Sequence, residues 1–256
     1  MQAKLPSLSI FFPFYNDEGT VETAISDAYL YGRTFTSNLE VIAIHGGDSQ
    51  DKTYQAILTA GKKHKDLVII NKSNNQEGYA VIKHGFAMAR KEWVFYTDGD
   101  LQYHLDELKK LVEKQNKTKA DVVNGYKTRR SDNLVRVILG KAYKRISKFM
   151  FKLPIRDTDC DFRLIRRSFL QKLNFESHDS SILPELVKKL ELSGARYREI
   201  PVTHYPRIYG KSNYTFWGIF FEKLRGDLGL WWKFRRIKKN YWTSQKLALL
   251  KETDQD

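Results

Sequence analysis

The stretch Trp93-Val94-Phe95-Tyr96-Thr97-Asp98-Gly99-Asp100-Leu101-Gln102 decides how the rest of the chain is read. Its first half is an apolar, aromatic run of strand length, which marks a buried strand. Its second half sets two carboxylates two residues apart where that strand ends. Two such groups can share one hard cation. Mg²⁺ or Mn²⁺ held by few protein ligands fills its shell with water and with the oxygens of a diphosphate. Gly99, between the acids, is expected to let a bulky ligand approach the backbone. An acidic turn after a strand has the same local sequence, so the surroundings carry the decision.

Working outward, strands alternate with helices. Residues 8–14 read as a strand ending in Pro13-Phe14-Tyr15-Asn16, and Val21, Ala24, Ile25, Ala28 and Tyr29 follow at helical spacing. A second strand, 39–44, closes with Gly46-Gly47-Asp48-Ser49, and Tyr54, Ile57 and Leu58 open a second helix. A third strand, 67–70, leads into a polar loop, after which Val81, His84 and Met88 are expected on one helix face. Beyond the two aspartates, Leu108, Leu111 and Val112 form a helix face and 121–126 a fifth strand. Later, Leu186, Val187 and Leu190 mark a helix ended by Gly194, and 197–204 alternates like a strand. This order predicts an α/β fold, a mostly parallel sheet with helices on both faces. Ligands then bind outside the carboxyl ends of the strands. The loops 13–18, 46–49 and 98–102 are expected to converge in one crevice.

The chain has 256 residues, enough for one large α/β domain and a small appendage. Lys and Arg number 44 against 30 Asp and Glu, a net charge of +14 that favours polyanions. Nucleic acid is not expected as a partner: no zinc-finger, RNA-recognition or helix-turn-helix signature is present, and the basic residues of the second half lie beside apolar aromatics. His45, His84 and His104 lack zinc-site spacing. Cys160 is the only cysteine, so no intrachain disulfide forms, and its place between two acids suits a structural role better than a thiolate. Residues 1–7 carry no signal-peptide core, and no apolar stretch reaches the length of a bilayer span. The expectation is a cytoplasmic protein whose membrane contact is peripheral, on the cytosolic face.

The second half has a different character. In 134–150, Leu134, Ile138, Ala142, Ile146 and Phe149 share one helical arc and Arg136, Lys141, Lys144 and Lys148 the opposite one. The polar cluster Asp157-Thr158-Asp159-Cys160-Asp161-Phe162-Arg163 follows. In 216–234, Phe216, Trp217, Phe220, Phe221, Leu224, Leu228, Trp231 and Trp232 fall on one arc, and five basic residues crowd 233–239. A core helix followed by a solvated charge run has this pattern, and so does a helix lying in an anionic membrane surface. The basic cluster favours the membrane, and the chain divides at 213 into a main domain, 1–213, and an amphipathic tail, 214–256.

With these residues in place, the chain resembles the family 2 glycosyltransferases, and more narrowly the polyprenyl-phosphate type exemplified by dolichyl-phosphate mannosyltransferases. The likeness runs from about Leu8 to Ser212. Its elements stand in the family's order: Pro13-Phe14-Tyr15-Asn16-Asp17, the Asp48–Thr53 loop, Gly78–Gly85, Asp98-Gly99-Asp100-Leu101-Gln102, Asp121–Gly125, Asp157–Arg163, and Arg207-x-x-Gly210-x-Ser212. Three departures stand out. The family's Asp-Asp-Gly-Ser is Gly46-Gly47-Asp48-Ser49 here, so the carboxylate expected to face the nucleotide base is displaced or lost. The family's Gly-Phe-Arg is Asp161-Phe162-Arg163, and Lys127 stands where arginine is common.

The resemblance implies a GT-A type, Rossmann-like domain. It also implies a nucleotide-sugar donor (UDP- or GDP-linked), a polyprenyl phosphate acceptor, an anionic membrane surface, Mg²⁺ or Mn²⁺, and inversion at the anomeric carbon. By family position, Pro13, Tyr15, Asp17, Asp48, Asp98 and Gly99 would bind the nucleotide, and Asp98, Asp100 and Gln102 the metal. Lys127, Arg130, Arg136, Arg163, Arg207 and Ser212 would bind the acceptor phosphate. Asp98, Asp100, Arg130, Arg136 and Arg207 would form the catalytic set. Arg163 is read equally well as a brace for the acids of 157–161. A hydroxyl acceptor would instead need a base, with Asp159 or Asp161 as candidates. A binder of polyanions without catalysis, or an inactive scaffold, is the reading from another class.

Overall fold

The computed structural model describes residues 4–47, 49–72, 78–128, 145–147, 149–210 and 225–232. Seven strands form one sheet: β1 (Leu8–Phe14), β2 (Leu39–Gly46), β3 (Val68–Lys72), β4 (Trp93–Thr97), β5 (Val122–Lys127), β6 (Phe162–Arg166) and β7 (Tyr197–Val202), in the order β3-β2-β1-β4-β6-β5-β7. The pairings β1–β2, β2–β3, β1–β4 and β5–β7 are parallel. Only β6 runs against its neighbours, β4 and β5. The five strands up to residue 127 and β7 lie where the apolar runs predict, to within two residues. The reversed strand β6 falls instead in what reads as a polar cluster with its basic flank.

Among the described residues, the helices bounded at both ends are α1 (Val21–Phe35), α2 (Thr53–Lys63), α3 (Ile82–Met88), α4 (Leu108–Thr118), the single turn α5 (Arg167–Leu170) and α6 (Ile182–Leu192). They cover both faces, because successive strand residues point to opposite sides. Ile10, Phe12 and Phe14 of β1 and Phe95 of β4 join α1, α2 and α4 in one core. Phe11, Ile42, Ile44, Val94 and Tyr96 join α3 and α6 in the other. The apolar spacing of α1 and α4 matches their buried residues.

That of α3 does not. Residues Gly78–Val81 wind as a 3₁₀ turn before the helix, and three residues per turn shifts its phase. Ile82, Gly85 and Phe86 therefore face the core, while Met88 is exposed.

A satellite core of Phe151, Leu153, Ile155, Val187 and Leu230 joins the segment after residue 149 and the helical residues 225–232 to α6. Around it, Phe149 is 85% and Trp232 61% exposed. Among the described residues no helix is long and apolar enough to cross a membrane.

Candidate active site

The crevice lies at the carboxyl ends of β1, β2 and β4, where the three predicted loops do meet. The Asn16 N–H donates to Ser49 Oγ (3.3 Å) and the Gln50 N–H to Asn16 Oδ1 (2.7 Å), tying the β1 loop to the β2 loop. The Asp17 N–H donates to Thr53 Oγ1 (2.8 Å) and the Glu18 N–H to Asp51 (3.0 Å), anchoring the same loop at the start of α2. Tyr15 packs on Gly47, whose φ of +69° keeps a side chain out of that position. Pro13 is the penultimate residue of β1. His45, at the end of β2, bonds Asn71 through Nδ1 (3.0 Å) and Ser49 through Nε2 (3.1 Å).

Both carboxylate loops contain left-handed backbone. Asn16, just before Asp17, has φ +55°, which asparagine tolerates, and Leu101, just after Asp100, has φ +59°. For leucine this conformation costs about 1–2 kcal/mol. The bend is held by Leu101 packing on the core and by the Gln102 N–H donating to Asp100 Oδ1 (3.0 Å). It aims the Asp100 carboxylate into the crevice.

Gly99 packs directly on the core. A β-carbon there would lie 2.2 Å from the Phe14 ring, so only glycine lets β1 and the Asp98–Asp100 turn pack this closely.

Segment 203–210 crosses the crevice as a strap after β7. The Tyr205 N–H donates to Gln102 O (2.8 Å), the Gln102 side-chain amide donates to Tyr205 O (3.0 Å), and the Tyr205 ring stacks on His104. Gln102, expected beside the metal, thus turns its side chain to the strap. Arg207, on that strap, reaches Asp100 with Nη2 (2.7 Å) and Asp17 with Nη1 (3.3 Å). One guanidinium therefore joins residues from the ends of β1, β4 and β7. Burial pushes the Asp17 carboxyl up to about 6, against the pull of the Tyr15 N–H and Arg207.

A second acidic pair lies next to the first. Thr97 pairs with Phe162 in the antiparallel register, so Asp98 and Asp161 leave the sheet side by side. Tyr79 donates its hydroxyl proton to Asp98 Oδ1 (3.1 Å), and Tyr96 donates to Asp161 Oδ1 (3.3 Å). Burial raises the Asp98 carboxyl well above the usual carboxylate range, and the charges of Asp161 and Asp100 raise it further. Burial also raises Asp161, with Arg163 and Lys127 pulling the other way.

Lys127, the last residue of β5, brings its ammonium toward these acids and over the Tyr103 ring (5.8 Å). Arg163 is 1% exposed, bonds Thr158 O and lies 5.9 Å from the Tyr96 ring. It is enclosed within the sheet layer, close to the Asp161 charge. The Cys160 thiol is raised to about 12 by burial, in keeping with a structural role. Asp48, Arg130, Arg136 and Ser212 lie outside the described residues, as do most of 134–150 and of the tail.

Sequence reasoning misses Tyr79 and the Arg207 bridge. The signal for Tyr79 is its position: it closes the loop after β3, whose carboxyl end faces the same crevice.

Among the described residues no three acids, imidazoles or thiolates are placed to enclose a cation. The donor chemistry of Asp98 and Asp100 nevertheless fits one: two carboxylates two residues apart at the end of β4 would offer oxygen ligands to a Mg²⁺ or Mn²⁺ that keeps water and substrate oxygens in its shell.

The family model for Glycosyl transferase family 2 matches residues 9–173. Undecaprenyl-phosphate 4-deoxy-4-formamido-L-arabinose transferase of Klebsiella pneumoniae (strain 342) is 25% identical over 209 residues, covering 82% of this chain. The chain spans 63% of that relative's length. The structure of a mannosyltransferase from Pyrobaculum calidifontis in complex with GDP-Man and Mn²⁺ matches with a TM-score of 0.62 at 18% identity, over 88% of this chain and 66% of that one. Glucosyl-3-phosphoglycerate synthase from Mycobacterium tuberculosis, in complex with Mn²⁺, UDP and glucosyl-3-phosphoglycerate, matches with a TM-score of 0.57 at 16% identity, over 87% and 78%. At these identities the likeness is one of fold, and that fold is the GT-A type.

Proposed function

The chain belongs to the family 2 glycosyltransferases, and on that premise we propose that it moves a sugar from a UDP- or GDP-linked donor to a polyprenyl phosphate at a membrane surface, inverting the anomeric carbon. The observation that carries this reading is the Arg207 bridge to Asp17 and Asp100, which brings a guanidinium suited to phosphate oxygens to the point where the strand-end loops meet. A polyprenyl-phosphate acceptor is supported by the name of the Klebsiella relative, and a nucleotide with Mn²⁺ by the solved structures of like fold.

Asp98 and Asp100 would hold Mg²⁺ or Mn²⁺, which when bound supplies Lewis-acid stabilisation of the departing diphosphate. Tyr15 and Asp17 border the nucleotide side of the crevice. Arg207 offers a planar fork suited to phosphate oxygens, and Lys127 a compact second charge. A phosphate monoester has a second pKa of about 6, so at neutral pH the acceptor is already nucleophilic and needs no strong base. The task of the site is to hold two anions side by side against their repulsion. One observation favours a hydroxyl acceptor instead: Asp161, a buried carboxyl beside Asp98, has the raised affinity for a proton that suits a general base.

The tail, 214–256, and the arc 134–150 form the membrane-facing part in this reading. Leu230 is anchored in the satellite core while Trp232 and Phe149 stay exposed. Lys233, Arg235, Arg236, Lys238 and Lys239 follow in the sequence, each worth about 1 kcal/mol near an anionic surface. The site would thus work on the cytosolic face, where the acceptor's prenyl chain stays in the bilayer.

The test is turnover of UDP- and GDP-sugars with Mn²⁺ on anionic vesicles carrying either a prenyl phosphate or the matching prenyl alcohol. Transfer to the phosphate is expected, with Asp161→Asn mainly raising KM. Preference for the alcohol, with Asp161→Asn inactive, would establish the hydroxyl reading in its place.

A further inference from the structure

Tyr79 has one hydroxyl proton and two carboxylates within its reach. It donates to Asp98 Oδ1 at 3.1 Å, and the Asp161 charge lies close by. Its ring is set by the 3₁₀ turn Gly78–Val81, which sits against β2, with Ala80 and Val81 buried in the α3-side core. The Asp98 main chain is fixed independently, by the close packing of Gly99 on Phe14. What remains to be fixed is the Asp98 side-chain torsion. Asp161 stands beside it in the register and repels it, and burial strengthens that repulsion. Without a donor between them, the two carboxylates would rotate apart and Asp98 would leave the position from which it shares a cation with Asp100.

We propose that Tyr79 is a positioning residue for the divalent cation: its hydroxyl locks the Asp98 carboxylate toward Asp100 and separates it from Asp161. The inference rests on the reading of Asp98 and Asp100 as metal ligands and extends it to a residue outside the two-aspartate motif. Partners that orient a metal ligand in this way commonly change metal affinity by 10- to 100-fold when removed. Tyr96, on β4, donates to Asp161 Oδ1 at 3.3 Å, so the two phenols reach the acids from different elements.

The test is Tyr79→Phe, which keeps the ring and removes only the hydroxyl. Mn²⁺ binding is measured by electron paramagnetic resonance titration in the presence of UDP and, separately, GDP, with the melting temperature recorded alongside. The Mn²⁺ dissociation constant is expected to rise about tenfold, while nucleotide binding without metal stays unchanged. In turnover the Mn²⁺ activation constant should rise by the same factor, with kcat at saturating metal within twofold of wild type. Mn²⁺ affinity equal to wild type would overturn the inference, and so would a loss of kcat and melting temperature at unchanged affinity, which marks a structural role only. Wild-type protein that binds no Mn²⁺ with either nucleotide would overturn the metal reading itself, a distinct outcome.

Discussion

Two acidic pairs lie within one crevice, and they are compensated in different ways. Asp17 and Asp100 are bridged by the guanidinium of Arg207, whereas Asp98 and Asp161 take their closest hydrogen bonds from the phenols of Tyr79 and Tyr96. The first pair shares one guanidinium, carried on an exposed strap and therefore exchangeable. The second takes its hydrogen bonds from neutral donors, with Lys127 and Arg163 supplying the positive charge around it. The contrast separates two acids held by an ion pair from two held by phenols, and the proposed cation ligands, Asp98 and Asp100, come one from each pair.

The largest expected effect comes from removing the residue that serves both halves. Asp100→Ala takes away the Arg207 partner and one proposed metal ligand together. Sugar transfer should fall on the order of 10²–10³-fold, the scale for losing a principal electrostatic stabiliser. Circular dichroism and the melting transition should stay close to wild type. Near-normal initial rates, or full wild-type activity in excess chelator, would erase the distinction between the two pairs as far as metal is concerned.

Arg207→Lys is the sharper probe of exchangeability. Lysine keeps the charge but cannot span Asp17 and Asp100 with one planar fork. A loss of about 10- to 100-fold in kcat/KM is expected, on the scale of hydrogen bonds to charged groups. Most of it should lie in the KM for the substrate whose phosphate Arg207 takes. Equal kinetics for the two side chains would mean that its charge alone matters.

The smallest effect is on stability and isolates Asp17. Its folded carboxyl titrates at about 6 and a solvated one at 3.8. Between these values the folded state retains a proton that the unfolded chain has released, so the contribution of Asp17 to stability falls as pH rises through the window. Urea unfolding at pH 4 and pH 7.5 should show wild type losing on the order of 2 kcal/mol relative to Asp17→Asn, most of it by pH 6. A constant difference would mean that Arg207 fully offsets the burial.

The parallel half of the fold was legible because its strands are short apolar runs with helical periodicity between them, and the rule that ligands gather at strand ends then located the crevice. β6 was not legible. Phe162-Arg163-Leu164-Ile165-Arg166 follows three aspartates, and an arginine in a strand reads as solvent-exposed unless one knows that it packs under Tyr96. The α3 face is not encoded in the apolar spacing, because a 3₁₀ turn is indistinguishable by composition from a first α turn. Asp98 and Asp100 stood out by spacing, but the Arg207 bridge spans 190 positions to Asp17, and no local pattern encodes a contact of that range.

The reversed strand also has a consequence for how the molecule is made. β5 and β7 connect to the first four strands only through β6. During synthesis the chain can pair β1 to β4 as soon as residue 97 emerges, but β5 has no partner until Phe162–Arg166 follows, and its other neighbour, β7, comes later still. The nascent protein therefore passes through a stage in which one edge, β4, is open and Val122–Lys127 is unpaired. Such an interval, closed only by contacts distant in sequence, slows folding and exposes the chain to aggregation. Replacements within β6 should accordingly reduce the yield of folded protein as well as its stability, since Phe162, Leu164 and Ile165 are buried in the two cores.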